Sequence, residues 1–248
     1  MNAVVVIPAR FNATRLPGKP LCDLAGLPMI VRTAKRAMQS GLAVWVAYDD
    51  ERIAEVLRQY GIQGIPTRHD HENGTHRLSE VVQKQEWSDE TVVVNVQGDE
   101  PLLPAELITQ VADALIAHPD ASVATLSTPF IPEEDPGSPH MVKVVCDLNG
   151  YALYFSRSLL PYPRDAQEIK SAFPYQRHIG IYAYRAKALR DYPQLSATPL
   201  EQTEKLEQLR FLEHGRRIIV AKATEVPPAG VDTEEDRIRV DALLRVEK

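Results

Sequence analysis

Short apolar runs alternate with amphipathic segments along the first half of the chain. The apolar runs span 3–7, 43–47 and 91–96, and the amphipathic segments span 29–39, 51–59 and 76–84. This alternation predicts crossover units of strand, helix and strand, and therefore a largely parallel sheet. Because the runs are almost uniformly apolar, helices are expected to cover both faces of that sheet.

The same pattern continues to about residue 128. Segment 104–117 is predicted to be a helix with Leu107, Val111 and Leu115 on one stripe, and segment 123–128 is predicted to be the next strand. Residues 129–139 are rich in proline and acidic side chains. This composition predicts a loop at which the second half of the molecule begins.

The second half has a different pattern. Strand-like runs at 142–146, 152–155 and 179–184 are separated by an Asn149-Gly150 turn and by a polar loop, which predicts some antiparallel pairing. The last predicted elements are a helix at 199–213, a strand at 218–221 and a terminal helix at 233–246. The fold class is therefore α/β, with a mostly parallel central sheet and an antiparallel excursion in the second half.

Composition narrows the classes of function. The chain has 248 residues, of which 44% are hydrophobic, so it can bury a full core and disorder is not expected. Its net charge of -6 argues against a protein that binds duplex nucleic acid. Two cysteines, Cys22 and Cys146, can build neither a disulfide framework nor a zinc cluster, which predicts a reducing cytoplasm. Without a signal peptide or a membrane-spanning run, the chain is predicted to be soluble, with no membrane partner.

A basic loop follows the first predicted strand. It contains Arg10, Arg15 and Lys19, with Gly18 between two prolines. Backbone N–H groups at a strand end can bind phosphate oxygens, and the three cations can neutralise them, so the loop is interpreted as a cradle for a nucleotide triphosphate. It matches neither the P-loop motif nor the dinucleotide fingerprint. The alternative interpretation is an ordinary basic surface loop.

Acidic residues follow a later buried strand and recur near the C-terminus. Asp99 is expected to face the same crevice as the basic loop, where a carboxylate could bind Mg²⁺ together with phosphate oxygens. Asp232 is a candidate for the second metal ligand. The alternatives are a polar turn around Asp99 and a simple helix cap at Asp232 or Thr233.

Two further groups of residues carry candidate chemistry. Segment 73–77 opens a predicted helix and could present backbone N–H groups, the Thr75 hydroxyl and Arg77 to a base or a phosphate, although it could be only a helix start. The second half supplies cations, tyrosines and an amide that would suit a hydroxyl-rich anionic substrate, or that could be ordinary strand and helix positions. These are Lys143, Tyr154, Ser156, Arg157, Arg164, Arg177, His178, Tyr182, Tyr184, Glu207 and Gln208.

The motifs together resemble those of one enzyme family, the 3-deoxy-manno-octulosonate (Kdo) cytidylyltransferases, or CMP-Kdo synthetases. The matching segments run through nearly the whole chain in the family's order. They are IPAR at 7–10, TRLPGKPL at 14–21, VNVQGDEP at 94–101, ALYFSR at 152–157, RHIGIY at 177–182, LEQLR at 206–210 and GVDT at 230–233.

The resemblance implies a reaction, a fold and an assembly. The reaction is the Mg²⁺-dependent transfer of CMP from CTP to Kdo, which releases pyrophosphate and feeds lipopolysaccharide synthesis. The fold is the three-layer nucleotide-diphospho-sugar transferase domain, with the nucleotide part at about 1–128 and 215–248 and the part for sugar binding and dimerisation at about 129–214. The expected assembly is a homodimer.

The resemblance also implies roles for single residues. The catalytic residues would be Lys19, Asp99 and Asp232, with the two aspartates holding the metal. Residues near the nucleotide would be Ala9, Arg10, Arg15, Lys19, Arg77 and Gln97. Residues that bind the sugar would be Gln97, Arg157, Arg164, His178, Tyr182, Glu207 and Gln208.

The chain departs from the family pattern at two places. It has Asn73-Gly74-Thr75-His76-Arg77 where the family usually has Ser-Gly-Thr, an acid and Arg, and Ala47-Tyr48-Asp49 where the family usually has Ala-Thr-Asp. The first departure replaces an anion by a titratable group that is expected near the nucleotide. The alternative functions are a cytidylyltransferase for the 8-amino analogue of Kdo or another acidic sugar, and a catalytically silent nucleotide-binding regulator.

Overall fold

The structure is a computed structural model that describes residues 3–12, 16–164 and 174–246. Its strands are β1 (Ala3–Ala9), β2 (Asp23–Leu24), β3 (Leu27–Pro28), β4 (Ala43–Tyr48), β5 (Gly64–Pro66), β6 (Val92–Asn95), β7 (Val123–Pro129), β8 (Lys143–Cys146), β9 (Ala152–Ser156), β10 (Gln176–Arg185) and β11 (Ile218–Lys222). Its helices are α1 (Met29–Met38), α2 (Glu51–Gln59), α3 (Gly74–Lys84), α4 (Ala105–Ala117), α5 (Ala186–Asp191), α6 (Pro199–Glu204), α7 (Gln208–Glu213) and α8 (Glu234–Val246).

The main sheet is mixed. Its strand order is β11-β7-β10-β6-β1-β4-β5. Neighbours along this path are parallel except at β10, which is antiparallel to both β6 and β7. Strand β8 extends the sheet beside β10, and β9 pairs with β8, both antiparallel. This topology confirms the predicted α/β class with an antiparallel excursion in the second half.

Helices cover both faces of the sheet, as the apolar runs predict. In β1, Val5 and Ile7 pack in a core formed with α1 and α4, whereas Val4 and Val6 pack in a core on the other face with α3 and α5. All four side chains are at most 2% exposed. Alternate residues of a strand point to opposite faces, so an unbroken apolar run is what a strand covered on both faces requires.

The C-terminal helix belongs to a smaller core. Val240 and Leu244 of α8 pack with Leu24, Met29 and other side chains of the N-terminal segment. Asp241 also accepts a hydrogen bond from the Ala25 backbone N–H at 2.7 Å. The helix is therefore anchored beside the basic loop. The segment that precedes it, 229–233, lies beside the same loop, with Val231 in the same core.

The predicted helix at 199–213 is wrong in one respect, because two helices occupy this segment. Lys205 ends α6 in the left-handed conformation, with φ 54° and ψ 48°, and α7 begins at Gln208. Left-handed backbone cannot continue a right-handed helix, so the chain turns here. The apolar spacing of Leu206, Leu209 and Leu212 gave no sign of this break.

The pattern also left some elements unpredicted. Helix α5 follows β10 directly, and the short β2–β3 hairpin and β5 are absent from the predicted set. Within the described ranges, no helix is long and apolar enough to span a membrane.

Candidate active site

A crevice lies at the sheet edge where β1 and β6 end. These strands are adjacent and parallel, with Val6 opposite Asn95, so the segments that follow them leave the sheet at the same edge. Four neighbouring cavities at this edge all include Gln97 in their walls and form one continuous crevice. Its cationic half is lined by Arg10, Lys19, Arg77 and Asp99. Its tyrosine half is lined by Tyr182, Tyr184, Lys205, Glu207 and Gln208.

Lys19 joins the two aspartates that the sequence singled out. Its Nζ donates to Asp99 Oδ2 at 2.6 Å and to Asp232 Oδ1 at 3.0 Å. Gly18, at φ 67°, adopts left-handed backbone that glycine accepts readily, and it starts the short helix Lys19–Leu21 that aims this side chain. Burial opposes the charge on Lys19, but the two carboxylates outweigh burial and raise the pKa of its ammonium. Lys19 therefore stays protonated.

Two glycines allow the backbone around Asp99 to pack closely. A Cβ on Gly98 would lie 2.9 Å from the Pro8 carbonyl oxygen, and one on Gly230 would lie 2.8 Å from the Asp99 carbonyl oxygen. Val231 donates its backbone N–H to that Asp99 carbonyl at 2.9 Å. Segment 230–232 thus crosses directly over Asp99, which is how residues far apart in sequence meet.

A third acid lies behind this pair. Burial and the negative charges of Asp99 and Asp232 together raise the pKa of Glu100 to about 8, against the opposing effect of Lys19 and Arg239. Glu100 is consequently mostly protonated at neutral pH, so the ammonium faces two carboxylates rather than three.

The residues predicted to bind nucleotide are placed as follows. Ala9 is buried at the end of β1 and, like Gln97, lines the cationic half. Arg10 is exposed there, and its Nη2 donates to the His71 carbonyl. Arg15 lies outside the described residues.

Arg77 is buried beneath the cationic half. Its Nη2 donates to Asp49 Oδ2 at 3.0 Å and its Nη1 donates to Thr67 Oγ1 at 2.6 Å. The other oxygen of Asp49 accepts the Phe11 backbone N–H at 2.9 Å. Asp49 therefore ties the basic loop to the helix that carries Arg77, and the Arg77 guanidinium has its main partners within the protein.

The cationic half could bind a divalent cation only if a bound substrate supplied some of the metal ligands. Among the described residues, no group of three or more His, Cys, Asp and Glu side chains is arranged to hold a metal ion. Two carboxylates do converge, and Mg²⁺ is commonly held by one or two carboxylates while substrate phosphates and water complete its shell. Asp99 and Asp232 therefore suit Mg²⁺ that arrives with a polyphosphate.

Several hydroxyl groups line the tyrosine half, namely those of Thr75, Tyr182 and Tyr184. Burial raises the pKa of Tyr182 and that of Tyr184, so both phenols remain protonated donors. Thr75 Oγ1 donates to Glu207 Oε2 at 3.1 Å, which connects the start of α3 with the turn before α7. Gln208 is buried at the start of α7 and lines the same wall. Hydroxyl, amide and carboxylate groups in such an arrangement are suited to form hydrogen bonds with the hydroxyls of a sugar.

His178 stands at the edge of this half as a neutral ring. Its Nε2 lies 3.0 Å from Thr125 Oγ1, and the ring packs edge-on against Phe155 with centroids 5.0 Å apart. Burial lowers the pKa of His178 to about 3. Its hydrogen bonding is therefore unchanged over the whole neutral range of pH.

The two predicted sugar-binding arginines do not line the cavities that share Gln97. Arg157 donates from Nε to the Glu204 carbonyl at 2.7 Å and from Nη1 to the Pro139 carbonyl at 2.9 Å. Arg164 is exposed at the end of the second described range. In this structure Arg157 holds the end of α6 in place. The end of α6 forms the wall beside the tyrosine half.

The departure at 73–76 begins at the wall of the cationic half, which Asn73 and Gly74 line together with Arg10 and Arg77. Asn73 caps α3 through the His76 backbone N–H and donates from Nδ2 to the Tyr192 hydroxyl at 3.2 Å. The His76 ring packs edge-on against Tyr192, with centroids 4.8 Å apart. The His76 side chain thus packs against the second half of the molecule, and its effect on the nucleotide stays a prediction.

Comparison with known proteins identifies the family. The cytidylyltransferase family model matches residues 4–218. A 3-deoxy-manno-octulosonate cytidylyltransferase of Dichelobacter nodosus (strain VCS1703A) is 63% identical over 240 residues, which cover 97% of this chain and 96% of that protein. The chain belongs to the 3-deoxy-manno-octulosonate cytidylyltransferase family. A member from Nitrosococcus oceani (strain ATCC 19707 / BCRC 17464 / JCM 30415 / NCIMB 11848 / C-107) is 51% identical over 251 residues, covering 98% of this chain and 97% of its own.

A solved structure of a family member agrees with this assignment. The structure of a CMP:2-keto-3-deoxy-manno-octonic acid synthetase complexed with CTP matches with a TM-score of 0.91 and 43% identity, covering all of both chains. A cytidylyltransferase from Leptospira borgpetersenii serovar Hardjo-bovis (strain JB197) matches with a TM-score of 0.61 at 13% identity, covering all of this chain and 95% of the other. The second match shows a shared fold alone.

Sequence reasoning missed two residues of this cytidylyltransferase site. Asp49 follows β4 just as Asp99 follows β6, so its position after a parallel strand was a usable signal. Lys205 lies within the segment predicted as one helix, and it lines the tyrosine half only because the chain turns there. No sequence pattern indicated that turn.

Proposed function

We propose that this chain transfers CMP from CTP to Kdo, forming CMP-Kdo and pyrophosphate for lipopolysaccharide synthesis. The observation that carries the proposal is the crevice itself. One end brings Lys19, Asp99 and Asp232 together, and it continues past Gln97 into a half lined by tyrosines, Glu207 and Gln208. A polyphosphate fits the first end and a hydroxyl-rich sugar fits the second.

The reaction needs positioning more than covalent chemistry. The anomeric hydroxyl of the sugar attacks the α-phosphorus of CTP in line with the departing pyrophosphate. Arg10 and Lys19 bind phosphate oxygens and offset the negative charge that develops on them. The tyrosine half fixes the sugar so that its reacting hydroxyl faces the cationic half at Gln97.

Asp99 and Asp232 would hold Mg²⁺ in this proposal. The metal would supply further neutralisation of the phosphate oxygens when it is bound. The reaction is accordingly proposed to be Mg²⁺-dependent, and chelation with EDTA is expected to abolish pyrophosphate release.

The setting and assembly are also proposed. Free thiols at Cys22 and Cys146 suit a cytoplasmic location.

Two exposed leucines support a homodimer. Leu153 lies on β9, the strand that ends the excursion, and is 63% exposed, and Leu148 in the preceding turn is fully exposed. Light scattering of the purified chain would give the mass of the assembly.

Pyrophosphate release from CTP tests the proposed function. The purified chain would be assayed with Mg²⁺ and, in parallel, Kdo, its 8-amino analogue or a sialic acid. Rapid release with Kdo is expected. Faster release with one of the other sugars would assign that substrate instead, and CTP binding without release in all three would favour the regulatory alternative.

A further inference from the structure

We propose that Lys143 is a positioning residue for the acceptor sugar: its buried ammonium fixes Arg157 and, through Arg157, the α6–α7 turn that walls the tyrosine half. The inference rests on the proposed function and goes beyond it, since it assigns a role to a lysine that has no surface in the crevice. The sequence alone suggested Lys143 only as a residue that contacts an anionic substrate.

The Lys143 ammonium is buried among backbone carbonyls. Lys143 is 0% exposed and lies in β8, between β9 and β10. Its Nζ donates to the carbonyls of Ser138 at 2.8 Å, Met141 at 2.7 Å and Arg157 at 2.6 Å. A neutral amine has only two N–H groups, so these three bonds together require the charged form. We call this arrangement the carbonyl clamp.

Stability of the fold does not by itself account for a cation at this position. Burial lowers the pKa of Lys143, and the negative charge of Glu204 opposes that effect. Lysine is almost never fully buried unless its charge is compensated, and apolar side chains of similar size often replace buried charges without loss of stability. The segments that the carbonyl clamp joins give the cation a second purpose.

The carbonyl clamp fixes Arg157 at its backbone and at its guanidinium. Lys143 holds the Arg157 carbonyl, and Pro139, in the clamped loop 138–141, accepts a hydrogen bond from Arg157 Nη1 at 2.9 Å. Arg157 in turn donates to Glu204, from its backbone N–H to Oε2 at 2.9 Å and from Nε to the carbonyl at 2.7 Å. Two hydrogen-bonded steps therefore join the Lys143 ammonium to the last residue of α6.

The wall of the tyrosine half begins directly after Glu204. Residues 205–208 form the α6–α7 turn, and all four line this half of the crevice. On the other side of the clamp, Val142 accepts the backbone N–H of His178 at 2.8 Å. His178 stands at the edge of the same half, so the carbonyl clamp lies between two parts of the proposed sugar site.

The cationic half is held by separate contacts. Lys19 bonds Asp99 and Asp232 directly, and these residues follow β1 and β6 or belong to segment 230–232. The hydrogen bonds of Lys143 go instead to the loop before β8 and to the end of β9. Loss of the carbonyl clamp should therefore weaken binding of the sugar and leave binding of CTP nearly unchanged.

Steady-state kinetics of Lys143 variants test the proposal. Lys143→Met keeps the length of the side chain but removes every donor, so it should raise the KM for Kdo about tenfold and change kcat and the KM for CTP by less than about threefold. Lys143→Gln keeps two N–H donors and serves if Lys143→Met does not fold; its KM for Kdo should rise at least about threefold. An unchanged KM for Kdo, or an equal rise in both KM values, would overturn the proposal.

A double-mutant cycle tests whether Lys143 acts through Arg157. Arg157→Ala removes both guanidinium contacts, so a Lys143 variant made in that background should raise the KM for Kdo further by about threefold at most. A further tenfold rise would show that Lys143 acts independently of Arg157 and would overturn the proposal. Lys222→Met removes an exposed cation from β11 of the same sheet, and it is the control that should leave both KM values unchanged.

Hydrogen exchange distinguishes failure of the inference from failure of the proposed function. Backbone amides of segment 204–210 would be compared in the wild type and the Lys143 variant without ligands, with segment 18–21 as the internal reference. We expect exchange about tenfold faster at 204–210 and unchanged at 18–21. Unchanged exchange at 204–210 would overturn the inference, whether or not the wild type is active. Faster exchange there, in a protein whose wild type binds no acidic sugar, would overturn the proposed function but support the fixing of the turn by Lys143.

Discussion

Lys19 Nζ lies 3.0 Å from Asp232 Oδ1, although 213 positions separate the two residues. The same nitrogen is 2.6 Å from Asp99 Oδ2. The Lys19 ammonium thus balances the two carboxylates that we propose as Mg²⁺ ligands. The arrangement holds both carboxylates close together at the place proposed for a cation that arrives with CTP.

The first prediction concerns these acids. Asp99→Asn and Asp232→Asn each remove one negative charge from the proposed metal site, so each should lower kcat/KM by a factor of roughly 100 or more and raise the Mg²⁺ concentration needed for half-maximal rate. Pyrophosphate release measured across a Mg²⁺ titration gives both quantities. Asp113→Asn, on the exposed side of α4, is the matched control and should behave as wild type. A near-normal rate in either variant removes that aspartate from the site.

The second prediction concerns the buried pair under the basic loop. The Arg77 and Asp49 side chains are only 3% and 6% exposed. Asp49→Ala leaves the guanidinium buried without its carboxylate, which should cost about 3 kcal/mol in the free energy of unfolding. Urea denaturation followed by circular dichroism measures this loss.

An exposed pair provides the comparison for Asp49. Asp50 binds Arg52 at 2.7 Å, but the Arg52 side chain is 59% exposed. Arg52→Ala should therefore cost much less in the free energy of unfolding than Asp49→Ala. Equal losses in the two variants would contradict the argument that burial of Arg77 sets the cost.

The third prediction is a pH dependence of stability. Burial would raise the pKa of Glu80, but hydrogen bonds from Lys84, the Arg68 backbone and His71 outweigh it and hold that pKa at about 2, against a usual 4.5. Because the folded pKa is depressed, this contribution is complete above about pH 4.5 and is lost as pH falls toward 2. Solvent screens part of this interaction, so the contribution should be smaller than the full shift implies, about 1–2 kcal/mol.

The test compares Glu80→Gln with wild type in urea denaturation between pH 3 and 7. The difference in the free energy of unfolding should be largest at pH 6–7 and should shrink toward pH 3. Glu55→Gln on α2 is the exposed control and should give a small, flat difference. A Glu80→Gln difference that stays constant from pH 7 to pH 3 would show that the carboxylate is not held ionised by its partners.

The sequence predicted the parts of the site that follow parallel strands. Runs such as Val4 to Ile7 are buried on both faces, so their apolar pattern identified β1 directly, and polar residues just after β1 and β6 had to share an edge. Asp49 follows the same rule after β4. These positions depend on local pattern and on one general property of α/β sheets.

The parts that depend on long-range packing were not predictable in this way. The turn at Lys205 is fixed by Arg157, whose Nε binds the Glu204 carbonyl from 47 positions away. Arg157, which the family resemblance implies binds sugar, donates to backbone carbonyls in this structure, and its role toward the sugar stays a prediction. A motif shows which residues accompany a function, but it does not show whether a side chain meets the ligand or supports the wall beside it.

The last prediction concerns the close approach that brings Asp232 to Asp99. A Cβ at Gly230 would lie 2.8 Å from the Asp99 carbonyl oxygen and 2.9 Å from Glu100 Oε1. Gly230→Ala must therefore displace segment 230–232, and kcat/KM should fall at least about tenfold. Helix α8 keeps its own apolar contacts, so the free energy of unfolding should change by no more than about 1 kcal/mol. Gly137→Ala is the control, because its Cβ would meet only the movable Asp135 side chain at 3.1 Å. Raising Mg²⁺ should restore part of the activity of Gly230→Ala if the displaced carboxylate still reaches the metal. Full activity of Gly230→Ala at the Mg²⁺ concentration that serves the wild type would show that the approach of Asp232 to Asp99 does not matter for the reaction.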